Sequence, residues 1–267
     1  MNYKLMKKYL VMAVVMTASV CAMAQSKSKP EPYFSFRELP NMLKWCPAPP
    51  DTVGAAFAYD IMQYMWGKQM RQNKERAEIA IRDATYSLEC IMQEFGEPLG
   101  LKMSEEETPE IYKLLKDSKA TCENISNFPK FYYKRIRPFM RFHEHTATPQ
   151  FEPDLRRNFS YPSGHTILGW CSALLLAEIN PERADTILTR GMMYGESRVI
   201  VGAHWQSDVD AGRLAAAAVY SRMHTSKRFL EQMQLAQQEF RIKTGLATPA
   251  EIKEFEKAIK KRAKAKK

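Results

Sequence analysis

The 267-residue chain predicts an all-α protein, and three observations carry that reading. No stretch alternates polar and apolar residues as a half-buried strand would. Helix-start signals recur along the chain. One continuous apolar segment, residues 163–178, has the length and character of a helix buried on all sides.

The elements follow in order. Lys4, Lys7 and Lys8 precede an apolar run from Leu10 to Val20 and small residues at Ala22-Met23-Ala24. The run is too short to span a bilayer as a free helix. Residues 1–24 therefore read as a secretory signal peptide cut after Ala24, in preference to a membrane anchor or to a lipoprotein at Cys21, which bulky Val20 disfavours. Residues 25–50 are polar and proline-rich, and read as an extended arm. Residues 55–95 hold no proline and one glycine, Gly67, and read as helix-rich. Thr108-Pro109 opens another helix, with proline at the favoured first position and Ile111, Leu114 and Leu115 at helical spacing. Residues 146–161 read as a surface loop. Ser163 starts the buried helix, Asn180 is expected to cap the next, and a further helix is expected from about His204 to Met223. Thr248-Pro249-Ala250-Glu251 has the capping-box pattern ahead of a basic tail helix. The expected organisation is a body over 51–245 and a tail over 246–267.

Charge placement excludes one class of function. The formal net is +10, of which the leader lysines account for three and residues 253–267 for six. The body is near neutral, so the chain lacks the broad basic face of a nucleic-acid binder. No later segment is long and apolar enough to span a membrane. Four cysteines follow the leader: Cys46, Cys90, Cys122 and Cys171. Their spacing fits no zinc pattern. An exported chain permits disulfides in three pairings, with Cys90–Cys122 preferred and Cys171 expected as a buried thiol.

Three clusters carry chemistry: Lys130 with Arg137-Pro138, then Pro162-Ser163-Gly164-His165, then Ser197-Arg198 with His204 and Asp208. A phosphoryl group in transfer spreads negative charge over three oxygens, and stabilising that charge is the main requirement. Arg137 and Arg198 offer planar forks, and Lys130 a point charge. Ser163 and Gly164 stand at a helix start, where open N–H groups and the dipole favour an anion. His204 and Asp208, four apart on a helix, would share a face, the carboxylate fixing one ring nitrogen and freeing the other as nucleophile. His165 is the candidate acid for the departing alcohol. Its role needs a proton and that of His204 a lone pair, so their pKa values are expected to be pushed apart. Taken singly these residues have ordinary structural explanations; their conjunction points to phosphate. His143, His145 and His224 read as surface residues. Phe128, Phe131, Tyr132 and Tyr133 read as core or interface, and the methionines of residues 61–70 as packing filler.

The string Lys130-x6-Arg137-Pro138, Pro162-Ser163-Gly164-His165, Ser197-Arg198-x5-His204-x3-Asp208 resembles the three-part signature of the type 2 phosphatidic acid phosphatase superfamily. The gaps of 23 and 31 residues fit it. Ala56-Phe57-Ala58-Tyr59-Asp60, Arg135-Ile136-Arg137-Pro138-Phe139, Gly195-Glu196-Ser197-Arg198-Val199-Ile200 and His204-Trp205-Gln206-Ser207-Asp208 resemble its class A bacterial non-specific acid phosphatases. The likeness covers roughly residues 40–240, with 142–158 and the tail departing from it. It implies a helical bundle around a buried central helix pair and a periplasmic acid phosphatase that needs no metal or other cofactor. It implies that His204 attacks, Asp208 orients it, and His165 protonates the leaving group. Lys130, Arg137, Ser163, Gly164 and Arg198 would hold the phosphate. It implies small phosphate esters as substrates, inhibition by phosphate or vanadate, possible transfer to alcohols, and a homo-oligomer. A vanadate-dependent haloperoxidase, a lipid phosphate phosphatase and a periplasmic oxyanion-binding module are the competing expectations.

Overall fold

The computed structural model describes residues 29–265. The expected leader, the first residues of the arm and the last two of the tail lie outside them. Residues Glu31–Lys267 form one compact unit; its counterpart, Met1–Pro30, falls almost wholly outside the described residues. Among the described residues there are helices and turns and no strand.

The central helix is α7 (Gly164–Ile179), buried along nearly its whole length. Its apolar residues run around the helix, so no face is left for water and neighbours must cover every side. α8 (Ala184–Ile200) and α9 (Gln206–Met223) pack against it most extensively, and α4 (Pro109–Tyr133) and α3 (Leu88–Leu99) close the remaining flanks. Small residues let α7 and α8 approach: a Cβ at Gly169 would stand 2.2 Å from the Tyr194 ring, and one at Gly191 2.5 Å from Ala173 Cβ. α1 (Ala55–Met70) and α2 (Lys74–Arg82) lie outside α8, so residues 55–99 form three helices separated by turns. Gly67 lets α1 press on the Val199 backbone, where a Cβ would sit 2.7 Å from the carbonyl oxygen.

The remaining differences from the sequence have local reasons. Asn180 does not cap α8; its Nδ2 donates to Leu99 O at 2.9 Å, and a 3-10 turn at Pro181–Arg183 leads into the helix. The described part of the arm packs against the body. Tyr33, Leu39, Met42 and Cys46 are buried, and the Tyr33 amide donates to Thr121 Oγ1 at 2.9 Å. Residues 146–161 contain α6 (Glu152–Arg157), so this segment is not simply a loop. All four cysteines are free, which removes the Cys90–Cys122 bridge. Cys90 Sγ donates to Arg82 O at 3.3 Å, whereas Cys122 is buried against Cys171. Met62 and Met65 are exposed and fill no core, as are Phe128, Phe131 and Tyr132.

α10 (Lys227–Lys243) carries Glu239, whose buried carboxylate accepts the Glu110 and Ile111 amides at the start of α4. The tail helix α11 (Pro249–Ala265) starts with the capping box: Thr248 N donates to Glu251 Oε2 at 2.6 Å and Glu251 N to Thr248 Oγ1 at 3.3 Å. Arg262 fastens α11 to Glu110 and Gln232.

Candidate active site

Four chain segments meet at one end of α7. Lys130 stands in the last turn of α4, beside buried Pro129. That helix ends because Lys134 adopts a left-handed conformation (φ 46°), which turns the chain before Arg135 and Arg137. Arg137-Pro138 then opens α5 (Pro138–Arg141). Ser163 is the N-cap of α7, its Oγ accepting the Thr166 amide at 3.3 Å. Arg198 lies near the end of α8, and the corner between α8 and α9 holds His204. The Ala203 and His204 amides both donate to Arg198 O, at 3.0 and 3.2 Å.

His204 precedes α9, which begins at Gln206, so the expected shared helical face is not how His204 meets Asp208. The Asp208 carboxylate reaches back over the helix start. Its Oδ2 accepts the Trp205 amide at 2.9 Å, the Ser160 hydroxyl, and His204 Nδ1 at 3.3 Å. Its Oδ1 accepts from Arg135 Nη1 at 2.5 Å. On the other side of the imidazole, Arg137 Nη1 stands 2.9 Å from Nε2. A guanidinium only donates, so Nε2 carries the lone pair and Nδ1 the hydrogen.

A cavity of about 600 Å³ opens here, lined among others by Lys130, Arg137, Gly164, His165, Arg198 and His204. Ser163 and Asp208 lie fully buried just behind them. All eight candidate residues thus converge on one place. Lys130 Nζ donates to Phe159 O and Pro162 O at 2.8 Å each. Arg137 donates to Leu155 O, Asn158 O and Ala203 O. Arg198 differs: it is 1% exposed, yet its Nε and Nη1 have no hydrogen-bond partner among the described residues. A Cβ added at Gly164 would meet nothing within 4 Å. The glycine is therefore not demanded by protein packing, and the space beside it belongs to the cavity.

Carbonyl oxygens and each other are the main neighbours of these cations, and their pKa values show it. Burial, then Arg137, holds Lys130 well below the usual lysine range. Burial, then Arg198, lowers Arg137 to about 9, and burial lowers Arg198 to about 10. Both histidines are depressed well below 6.5: His165 by burial and then Arg198, His204 by burial and then Arg137. Both pKa values are displaced in the same direction from the ordinary histidine value. A concave site filled with positive charge pushes every proton-binding group the same way, and an anion at its centre would reverse the push.

Residues to which the sequence assigned no role complete the site. Ser160, Arg135 and Asp60 hold Asp208 directly or at one remove. Tyr86 sets its ring edge against His165, with centroids 4.8 Å apart, and His165 Nε2 donates to Ala84 O at 3.0 Å. Ser197, part of the third cluster, faces away: its hydroxyl donates to Asp83 Oδ2 at 2.6 Å and accepts from Arg76. His143 and His145 are exposed, the latter 3.3 Å from Glu152, and His224 is half-buried against Glu178. A larger cavity of about 950 Å³ between α3 and the start of α4 contains no histidine.

Comparison with known proteins agrees with this site. Residues 118–230, which span all three clusters, match the PAP2 superfamily. The chain is 40% identical to a non-specific acid phosphatase of Providencia stuartii over 215 residues, covering 80% of this chain and 86% of that one. It is 38% identical to a non-specific acid phosphatase of Salmonella typhimurium over 217 residues, covering 81% and 86%. An acid phosphatase of Zymomonas mobilis is 31% identical over 244 residues, covering 91% and 90%. The chain belongs to the PAP2 superfamily, among its acid phosphatases. In this phosphatase no three His, Cys, Asp or Glu side chains among the described residues are grouped to hold a metal ion, and no described helix is long and apolar enough to cross a membrane.

Proposed function

We propose that this phosphatase hydrolyses small phosphomonoesters through a phosphohistidine on His204 and without a metal. The observation that carries the reading is Arg198, a buried guanidinium with two unpartnered nitrogens beside a cavity that also exposes the His204 ring. Leaving such donors unsatisfied costs stability unless something binds them. A phosphate fits, with oxygens on Arg198, on Lys130, on the Ser163 hydroxyl and on the open first amides of α7.

The steps follow from the atoms present. With a phosphate bound, Arg137 Nη1 gives up its contact to His204 Nε2 for a phosphate oxygen, and Nε2 attacks phosphorus as the bond to the ester oxygen breaks, with Nδ1–H held on Asp208. His165 has Nε2–H committed to Ala84 O, so the proton it gives the leaving oxygen comes from Nδ1. That proton is carried only once the substrate's negative charge offsets the surrounding cations. Water then attacks the phosphohistidine, giving its proton back to His165, and phosphate leaves. An alcohol small enough for the 600 Å³ cavity would take the water's place and accept the phosphoryl group. The need for a charged His165 argues for an acidic optimum. The sequence's leader-like start supports export to the periplasm.

Rapid mixing with p-nitrophenyl phosphate followed by an alkaline quench should trap acid-labile phosphate on His204, with turnover unchanged by EDTA and blocked by vanadate. Near-normal turnover in His204→Ala, or loss with EDTA, would defeat this reading.

A further inference from the structure

Behind His204 lies a chain of buried charges that does not reach the cavity. Arg135 stands in the turn between α4 and α5 with its side chain 9% exposed. Its guanidinium bridges two fully buried carboxylates: Nη1 lies 2.5 Å from Asp208 Oδ1 and Nη2 lies 2.6 Å from Asp60 Oδ2. Asp60 comes from α1 and is itself fastened to the start of α9, accepting the Ser207 amide at 2.8 Å and the Ser207 hydroxyl at 2.6 Å. Nη1 also donates to Ser207 Oγ at 2.8 Å. The Trp205 ring lies beside the guanidinium, 5.6 Å from its centre, and helps exclude water.

We propose that Asp60 and Arg135 are positioning residues for the phosphoryl transfer, acting through Asp208 on His204. The proposal rests on His204 being the nucleophile. A carboxylate's terminal torsion is broad, so nothing intrinsic to Asp208 decides which way its oxygens face. The Trp205 amide and the Ser160 hydroxyl hold Oδ2, and Arg135 completes the clamp by taking Oδ1, so that Oδ2 stays toward His204 Nδ1. The contact to Nδ1 is 3.3 Å, long enough that a small rotation would break it. Once it breaks, Nδ1–H has no carboxylate behind it, so the ring is less firmly aimed at phosphorus and the positive charge it gains during transfer is less well offset. A lysine would not serve as well, because only a planar fork reaches two carboxylates at fixed angles. Asp60 complements Arg135 by holding the far end of the fork and tying it to α9, the helix that carries Asp208.

A purely structural role predicts lost stability with a normal active site in whatever remains folded. The positioning role predicts a slow but properly loaded enzyme. Arg135→Ala, Arg135→Lys and Asp60→Asn are to be compared with the unaltered enzyme for kcat, KM, the inhibition constant of inorganic phosphate, and Tm. The expected result is a fall in kcat of about 10- to 100-fold in Arg135→Ala, as for lost outer partners of reactive groups elsewhere. Phosphate inhibition should stay within about twofold, because neither residue lines the cavity. Millimolar guanidinium should restore part of the kcat of Arg135→Ala and leave that of the unaltered enzyme unchanged. Arg135→Lys should keep more activity than Arg135→Ala. Arg135→Ala leaves two buried carboxylates unpaired; if it does not fold, the near-isosteric Asp60→Asn decides, with a smaller fall in kcat at unchanged phosphate inhibition. Unaltered kcat in folded variants would overturn the proposal, as would kcat and phosphate affinity falling together without rescue. Active His204→Ala would instead defeat the nucleophile assignment, a separate outcome.

Discussion

Two buried arginines on α8 lead opposite lives. Arg190 lies about two turns before Arg198 on the same helix, and both are nearly inaccessible. Arg190 is met on every side by carboxylate: Nη1 and Nη2 donate to Asp83, and Nη2 also to Glu94 at 3.0 Å. Burial works against its charge, but Asp83 and Glu94 outweigh it and the pKa rises. Arg198 has no carboxylate within ion-pair range among the described residues, keeps two nitrogens without partners, and falls to about 10. A buried cation with its counter-charge supplied by the fold holds the fold together. One without it is waiting for a charge from outside. Burial alone would have treated the two alike.

Swapping each for alanine should break the comparison most sharply. Arg190→Ala strands Asp83 in the core and should cost about 3–5 kcal/mol of stability, read as a drop in Tm. The folded fraction should keep nearly normal kcat/KM. Arg198→Ala removes a charge the fold does not neutralise, so Tm should hold or rise, while kcat/KM should fall by about 10²- to 10³-fold. Both variants losing stability equally would erase the distinction.

An added anion supplies the second test. Sulfate at about 100 times its Kd should stabilise the unaltered protein by about 2.7 kcal/mol, and Arg198→Ala hardly at all. The pH dependence of that gain sharpens it. His165 and His204 have folded pKa values below their unfolded 6.5, so between those values the unfolded chain binds more protons. Stability therefore falls as pH drops through that window. Glu239 works in the opposite sense: burial raises it to about 7, so its contribution is present at low pH and lost as pH rises through 7. The raw pH curve mixes the two. The sulfate-induced shift in Tm isolates the histidines, because Glu239 lies on α10 and lines no part of this cavity. That shift should grow as pH falls below 6.5, by up to about 1.4 kcal/mol per pH unit, since a bound anion lets His165 take up a proton while His204 keeps its lone pair. A gain independent of pH would mean the anion sits away from the two rings.

The contrast also explains what could be read from the chain. The eight residues around the cavity were legible because phosphate chemistry demands particular side chains, and their types and spacing survive in one dimension. The helices were legible where local chemistry decides them, as at the Thr248–Glu251 box and the Ser163 start of α7. The roles of Asp60, Arg135 and Ser160 were missed because each is one polar residue among many until three segments fold against Asp208. Asn180 misled for a related reason: Leu99 O, 81 positions away, competed for its amide and won. The depressed pKa of both rings belongs to the same class, since it arises from how many cations share one small volume.

The smallest effect concerns two glycines of α7 and repeats the comparison in steric form. At Gly169 a Cβ would strike the Tyr194 ring at 2.2 Å, so Gly169→Ala must push α8 outward. It should cost about 1–3 kcal/mol, with kcat/KM in the folded fraction little changed. At Gly164 a Cβ meets nothing within 4 Å and φ is not left-handed, so Gly164→Ala should leave Tm unchanged or raise it slightly through the unfolded chain. Its methyl group, however, would stand where the proposed phosphate would come close to the start of α7. KM should rise by about tenfold, a loss of about 1.4 kcal/mol of ground-state binding, with kcat less affected. If Gly164→Ala binds phosphate normally, the anion does not rest against the start of α7, and the space beside Gly164 serves the leaving group instead.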